Sequence, residues 1–270
     1  MTQASAKGRL YLVPTPLDFG CDVQVALDEA LARDVLRTAA RLSHWITENA
    51  KTTRAFLKRV DAAEPLATPV QAQQLVELPR AVHKKGDHGS SGAAFDTTPL
   101  LAPALAGHDM GLVSEAGMPA VADPGSSVVR AAHDLGIEVI ALPGPVSVLL
   151  ALAASGLGGQ NFAFVGYLPQ DVAARGRRIA ELEQLALRQD QTQLFIETPY
   201  RNAALFRALV QALQAHTRLS ISTGLTLPQA RTVSAPVKAW KRWLQEAGNA
   251  PALPAQAPDN QTPAVFAIGR

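Results

Sequence analysis

Short apolar runs rich in β-branched residues alternate along this chain with longer segments whose apolar residues recur every third or fourth position, and that alternation limits the fold most. Strands that take turns with helices must be joined by crossovers, so they build mostly parallel sheets with helices packed on them. The runs Leu10–Val13, Trp45–Thr47, Val76–Leu78, Gly111–Ser114 and Val139–Leu142 are expected to form one sheet. The segments Val25–Ala40, Thr53–Val60, Leu100–Ala106 and Ser126–Leu135 carry helical periodicity and supply its helices. After the turn Pro143-Gly144-Pro145 the pattern restarts. A small apolar helix, Val146–Ser155, precedes strands near Phe162–Val165, Gln193–Ile196, Leu219–Ser222 and Val265–Ile268, with helices at Arg175–Arg188, Asn202–Gln214 and Pro236–Gln245. The expectation is two α/β domains with mostly parallel or mixed sheets, 8–143 and 144–270, which a length of 270 residues accommodates.

Composition removes several classes. With 47% hydrophobic and 18% charged residues the chain is not disordered. No apolar run reaches the roughly 18 residues of a membrane span, Val146–Leu157 being the longest candidate, so no membrane association is expected. The N-terminus lacks the basic, apolar and small-residue succession of a secretion signal, and a lone cysteine, Cys21, cannot form an intramolecular disulfide; the cytoplasm is the expected compartment. Residues 1–135 hold 13 Lys and Arg against 15 Asp and Glu, and residues 136–270 hold 12 against 8. That mild basic bias permits an anionic substrate such as RNA without demanding one.

The segment LVSEAGMPAVADPG, Leu112–Gly125, begins as a buried strand and breaks into a turn containing Gly117, Pro119, Asp123 and Gly125. In open α/β sheets ligands settle beyond the carboxyl ends of strands. Glycines let a ligand approach the backbone, and Glu115 and Asp123 add negative charge suited to a cation. The plainer reading is that Asp123 caps the helix starting near Ser126 and that Glu115 faces solvent.

Similar strand-end clusters recur as VPTPLDFG (Val13–Gly20), LPGPVSVLLALAASGL (Leu142–Leu157), FAFVGYLP (Phe162–Pro169) and FIETPYR (Phe195–Arg201). In this order and spacing, from about Arg9 to Phe266, the set resembles the tetrapyrrole methylase superfamily, and within it the branch that 2′-O-methylates a cytidine of small-subunit ribosomal RNA. The resemblance implies a homodimer that holds S-adenosylmethionine in the cleft between its two domains. The implied cofactor residues are Pro16, Ser114, Glu115, Ala116, Gly117, Pro119 and Asp123, then Pro143, Gly144, Pro145 and Ser147, and further on Gly166, Leu168, Glu197 and Pro199.

The chain departs from that branch at two places. Pro16-Leu17-Asp18-Phe19-Gly20 stands where the branch reads Pro-Ile-Gly-Asn-Leu. Glu48-Asn49-Ala50-Lys51-Thr52-Thr53-Arg54 stands where it reads Glu-Asp-Thr-Arg, and a following His-Asn-Glu stretch has only His88 as a loose counterpart. A C-terminal extension of the RNA enzymes is expected to be missing. Two readings of residues 48–54 stay open: a helix start capped by Asn49 or Thr52 with Arg54 and Lys58 as a solvated pair, or a catalytic Glu48 and Arg54 with Lys51 as a substrate anchor. Arg175, Arg177 and Arg178 form either a solvated helix face or a contact to a substrate backbone.

His44, His83, His108, His133 and His216 have no metal-ligand spacing, so no metal is expected. No dinucleotide fingerprint, phosphate-binding loop or nucleophile elbow is present. Trp240 and Trp243, three apart on an expected helix, suit a core. Segments 86–99 and 248–263 read as loops, the first also as a substrate-gating lid. Three functions remain: an RNA methyltransferase, a methyltransferase acting on a tetrapyrrole or another small molecule, and a module that binds the cofactor without turnover.

Overall fold

The computed structural model describes residues 6–18, 20–79, 96–248 and 253–270. Phe19, His83, His88 and most of the 86–99 segment lie outside the described residues. The chain divides into two compact units, Met1–Val146 and Ser147–Arg270.

The first unit is built on β1 (Leu10–Leu12), β2 (His44–Thr47), β3 (Gln74–Glu77), β4 (Met110–Val113) and β5 (Val139–Ala141), all parallel and ordered β3-β2-β4-β1-β5. Its helices are α1 (Leu27–Ala30), α2 (Arg33–Arg41), α3 (Ala50–Ala63), α4 (Ala102–Leu105) and α5 (Ser126–Asp134). Alternation along the strands sends side chains to two separate cores. Tyr11, Trp45 and Val113 pack with Val35, Phe56 and Leu57 of α2 and α3, whereas Leu10, Ile46 and Leu112 pack with Leu101, Val128 and Ala132. Trp45 fits only because its register partner on β4 is Gly111, where a Cβ would lie 2.4 Å from the indole ring. Its indole N–H is satisfied by Gln73 at 2.9 Å.

From β1 the chain leaves toward β2 and β3, and from β4 it leaves toward β5 on the other side of β1. Neighbouring β1 and β4 therefore send their connections in opposite directions, and the crevice beyond their carboxyl ends is a topological switch point.

In the second unit α6 (Ser147–Ser155) precedes β6 (Phe162–Tyr167), α7 (Val172–Arg188), β7 (Thr192–Glu197), α8 (Asn202–Ala212), β8 (Arg218–Thr223), β9 (Arg231–Pro236), α9 (Val237–Glu246) and β10 (Ala264–Gly269). The sheet order is β6-β7-β10-β8-β9, with only β6 and β7 parallel and the remaining pairs antiparallel. The core of this unit gathers Phe195, Phe206, Phe266 and Trp240, whose indole N–H donates to the Leu219 and Ala235 carbonyls at 3.1 and 3.2 Å. Trp243 packs edge-on against Trp240.

Two differences from the sequence reading have physical causes. Strand β9 was not expected; it is an edge strand that pairs with β8 alone and carries Arg231 and Pro236 at its ends, so it shows no apolar run. The connection between β8 and β9 is too short for a crossover, which forces the antiparallel pairing. The expected helix 25–40 is two helices, because Leu31 and Ala32 adopt extended backbone and Ala32 becomes the N-cap of α2, without a Gly or Pro to mark the break.

Candidate functional site

The site is assembled at the carboxyl ends of β1, β2 and β4. Beyond β1 the chain runs Val13-Pro14-Thr15-Pro16, in which the two prolines have no N–H and leave Thr15 to make the backbone pairing. Thr15 and Gly117 exchange N–H···O=C bonds of 3.0 and 3.1 Å, tying the β1 exit to the β4 exit. The Thr15 hydroxyl adds a bond to the Ser114 carbonyl at 3.3 Å. Gly117 has φ +80°, a conformation that its missing Cβ makes accessible.

Beyond β2, the Glu48 N–H donates to the Val113 carbonyl at 3.3 Å, and the Glu48 carboxylate accepts from the Glu115 N–H at 3.2 Å. Asn49 caps α3 by accepting from the amides of Lys51 at 2.9 Å and Thr52 at 3.4 Å. The capped first turn places Thr52 so that its hydroxyl donates to the Glu115 carboxylate at 3.2 Å. Thr47 and Thr53 pair through their hydroxyls beneath this turn. Glu48 thus positions the backbone of the very loop that the sequence singled out.

The loop from β4 to α5 does not follow the plainer reading of Asp123. Gly125, at φ +133°, is the N-cap of α5 in place of Asp123, and it has no side chain with which to cap. Asp123 is half-buried, and burial first, then the negative charges of Glu48 and Glu115, push its carboxyl up to about 7. Three carboxyl groups therefore share one corner, and one of them titrates near neutrality. Ala120 and Ala122 both hold left-handed backbone, at φ +64° and +66°, so the loop keeps a shape that costs roughly 1–2 kcal/mol per such residue. Pro119 is buried and Ala116 half-buried within the same loop.

The Pro143-Gly144-Pro145 turn belongs to the first unit and rests on the β1 exit. A Cβ on Gly144 would lie 2.3 Å from the ring carbons of Pro14, so only glycine permits this approach. A Cβ on Gly117 would come within 3.3 Å of the Pro145 carbonyl oxygen.

A cleft of about 690 Å³, open solvent included, lies beside this corner within the first unit. Pro16, Ala55, Phe56 and Val113 give it apolar walls, and Gln24, Thr52, Ser114 and Glu115 give it polar ones. Asp18 and Arg59 also line it, and both are committed to each other. The Arg59 guanidinium grips Asp18 through two bonds of 3.1 and 2.8 Å and donates to the Val25 carbonyl at 2.6 Å, while the Val25 N–H donates back to Asp18 at 3.1 Å. Asp18 and Val25 are thereby clasped to α3.

Lys51 and Arg54 are exposed on α3. In the second unit Ser147 opens α6, and Gly166 takes φ +70° at an irregularity in the β6–β7 register. Leu168 is buried in the second core. Glu197 is buried, paired with Arg201 at 2.9 Å and accepting from the Thr198 N–H at 2.8 Å, and Pro199 opens the short turn that carries Arg201. Arg175 has a buried Nε without a hydrogen-bond partner, Arg177 is exposed, and Arg178 pairs with Glu181 at 3.1 Å.

Sequence reasoning missed Thr52 as the partner of Glu115, Arg59 as the partner of Asp18, and Phe56 as a cleft wall. The signal was available: Thr52, Phe56 and Arg59 are spaced i, i+4, i+7 and fall on one face of α3. A buried carboxylate at position 18 also required a cation somewhere.

Residues 30–240 match the family described as Tetrapyrrole (Corrin/Porphyrin) Methylases, and the chain belongs to that family of methyltransferases. Among curated relatives it is 32% identical over 218 residues to the ribosomal RNA small subunit methyltransferase I of Mesorhizobium japonicum, an alignment covering 80% of this chain and 63% of that protein. It is 27% identical over 247 residues to the protein of the same name from Vibrio cholerae, covering 89% and 73%. The chain thus spans less than two thirds of the first of these relatives and about three quarters of the second. The crystal structure of the methyltransferase CobJ shares the fold at a TM-score of 0.54 and 17% identity, over 97% of this chain and 94% of that one.

Proposed function

We propose that this protein transfers a methyl group from S-adenosylmethionine to a ribose 2′-hydroxyl of small-subunit ribosomal RNA. The observation that carries the reading is the family membership joined to curated relatives that share the name of a ribosomal RNA small subunit methyltransferase. The carboxyl corner fits such a cofactor, since Glu48, Glu115 and Asp123 concentrate negative charge where an ammonium or sulfonium would be held. The glycine positions fit it as well, because Gly117 and Gly144 keep the backbone free of side chains at the strand exits.

When bound, the cofactor supplies an already activated methyl, leaving the protein to align the acceptor and accept its proton. The acceptor oxygen would take the methyl as the sulfonium gives it up, and the role left to this chain would be to accept the hydroxyl proton. A carboxyl poised near 7, as Asp123 is, suits that proton transfer at neutral pH, with Glu48 setting the backbone of the loop around it. Arg54 and Lys51 serve the substrate from the exposed side of α3.

The small-molecule reading rests on the altered Asp18–Gly20 and Lys51–Arg54 positions, and the commitment of Asp18 to Arg59 supplies a structural reason for the first of these residues instead. The protein is proposed to act in the cytoplasm as a homodimer; the exposed Leu149 and Leu150 of α6 offer apolar surface for self-association. No helix among the described residues is long and apolar enough to cross a membrane.

The test is to incubate the protein with methyl-labelled S-adenosylmethionine and small ribosomal subunits from cells lacking the modification. Label should enter the RNA and protect one phosphodiester from alkaline cleavage. Absence of transfer, with the cofactor shown by calorimetry to bind, would sink the substrate assignment.

A further inference from the structure

Helix α3 turns one face toward the cleft of the first unit and a neighbouring face toward solvent. Thr52, Phe56 and Arg59 line the cleft, whereas Lys51, Arg54 and Lys58 are exposed. The i, i+3, i+7 spacing of these three cations sets them in a single stripe along the helix. Ala55 sits at the boundary, lining the cleft while itself exposed. Arg59, the fourth cation of the helix, is used internally on Asp18 and does not join the stripe.

Charge is therefore separated around this opening. The inner corner carries Glu48, Glu115 and Asp123, and burial first, then the charges of Glu48 and Glu115, raises the Asp123 carboxyl to about 7. The outer rim carries three exposed cations. An occupant complementary to both must keep its anionic groups outside and present a neutral, partly apolar body inward. A nucleotide within a single RNA strand has that distribution, with phosphates on one edge and an uncharged base that can be unstacked into a pocket. A base paired within a duplex cannot enter a cleft without leaving its stack.

We infer that the Lys51, Arg54 and Lys58 stripe of α3, together with the adjoining cleft of the first unit, is the docking surface for a single-stranded RNA segment, whose phosphates lie on the stripe and one of whose bases enters the cleft. The inference rests on the ribosomal RNA reading and adds the place and the strandedness of the contact. The stripe supplies sequence-independent affinity, and the cleft, with its Gln24 amide and Thr52 hydroxyl, supplies groups that can contact a base edge.

The experiment measures binding of a short single-stranded RNA, and of a duplex of equal length, by fluorescence anisotropy over a range of salt concentrations. Each of Lys51→Ala, Arg54→Ala and Lys58→Ala should reduce the slope of log affinity against log salt by about 0.7, the value for one phosphate contact on a single strand. Ala55→Trp, which fills the cleft mouth, should weaken single-strand binding several-fold and leave the salt slope unchanged. Circular dichroism and a thermal melt of each variant report that it is folded. An unchanged slope in the triple alanine variant overturns the inference, as does duplex bound as tightly as single strand. Methyl transfer to ribosomal subunits together with an unchanged slope would remove the docking surface and keep the proposed function. Loss of slope without any transfer to subunit RNA would do the reverse.

Discussion

Asp18 and Arg59 face each other in a two-pronged ion pair, with the Asp18 side chain 5% exposed and that of Arg59 23%. Forty-one residues separate them, and the pair fixes the turn after β1 against the middle of α3. Asp18→Ala leaves a guanidinium without its counter-charge and should cost about 3 kcal/mol in chemical denaturation. Arg59→Ala should cost a similar amount, and the double variant much less than the sum, because neither residue then lacks a partner. Full additivity would show that the two do not act together.

That pair also shows where the sequence was legible and where it was not. The nine strands read from apolar runs all exist within a residue or two of their expected places, because the side chains they send into the sheet cores leave an apolar trace. Strand β9 left no such trace at the sheet edge. The loop from Ser114 to Gly125 was readable as a tight turn from its Gly and Pro content, and its left-handed residues at 117 and 125 are glycines. The left-handed Ala120 and Ala122 were not readable, since alanine carries no mark of that backbone. Partnerships between distant polar residues, such as Thr52 with Glu115 or Glu48 with the Glu115 amide, depend on which strand ends become neighbours. The order β3-β2-β4-β1-β5 decides that, and periodicity does not encode strand order.

Gly144 tests the close approach of the two strand exits. Its Cβ would meet Pro14, a rigid ring held beside a sheet strand, so the contact cannot be relieved by a rotamer change. Gly144→Ala should shift the 143–145 turn and weaken S-adenosylmethionine binding by at least about tenfold, or roughly 1.4 kcal/mol. Gly117→Ala should lower stability by about 1–2 kcal/mol through its left-handed backbone, whereas Ala120→Gly, relieving the same strain, should not destabilise. Thermal melts and calorimetric titration of the three variants check the set.

His44 stacks on His108 with ring centroids 4.8 Å apart, and burial first, then the His108 charge, lowers its pKa below the ordinary 6.5. The folded state thus binds fewer protons at this site than the unfolded chain does in mildly acidic solution. Stability is therefore lost as pH falls below about 6.5 and is unaffected by this group at higher pH. The change in denaturant midpoint between pH 8 and pH 5 contains this loss, so lowering the pH over that interval should favour His44→Gln over the natural protein, whatever the opposing contribution of Asp123.

Asp123 behaves in the opposite sense. Its carboxyl is raised from 3.8 to about 7, so the folded chain holds a proton that the unfolded chain has released. Stability from this group is present below about 3.8 and lost as pH rises through 7. Ionisation meanwhile adds the charge that a bound cation would favour, so S-adenosylmethionine affinity should rise between pH 6 and pH 8. Asp123→Asn should flatten that dependence. An affinity that falls over the same interval would exclude Asp123 from the cofactor's surroundings.

Glu48 separates a base from a positioning group. Its carboxylate accepts the Glu115 N–H, a role that an amide oxygen can also fill, whereas proton abstraction requires the carboxylate itself. If Glu48 chiefly shapes the loop, Glu48→Gln should retain cofactor affinity within a few-fold and most of kcat, and Glu48→Ala should lose both as the Glu115 amide loses its acceptor. A base would give a different pattern: both variants would bind the cofactor and both would fall by 10²-fold or more in kcat. The hydrogen bond to Glu115 favours the first outcome, with Asp123, already poised near 7, left as the group whose replacement by Asn removes the acidic limb of the pH–rate profile. Measuring kcat against pH for Glu48→Gln and Asp123→Asn side by side assigns the two roles, since only loss of the base abolishes that limb.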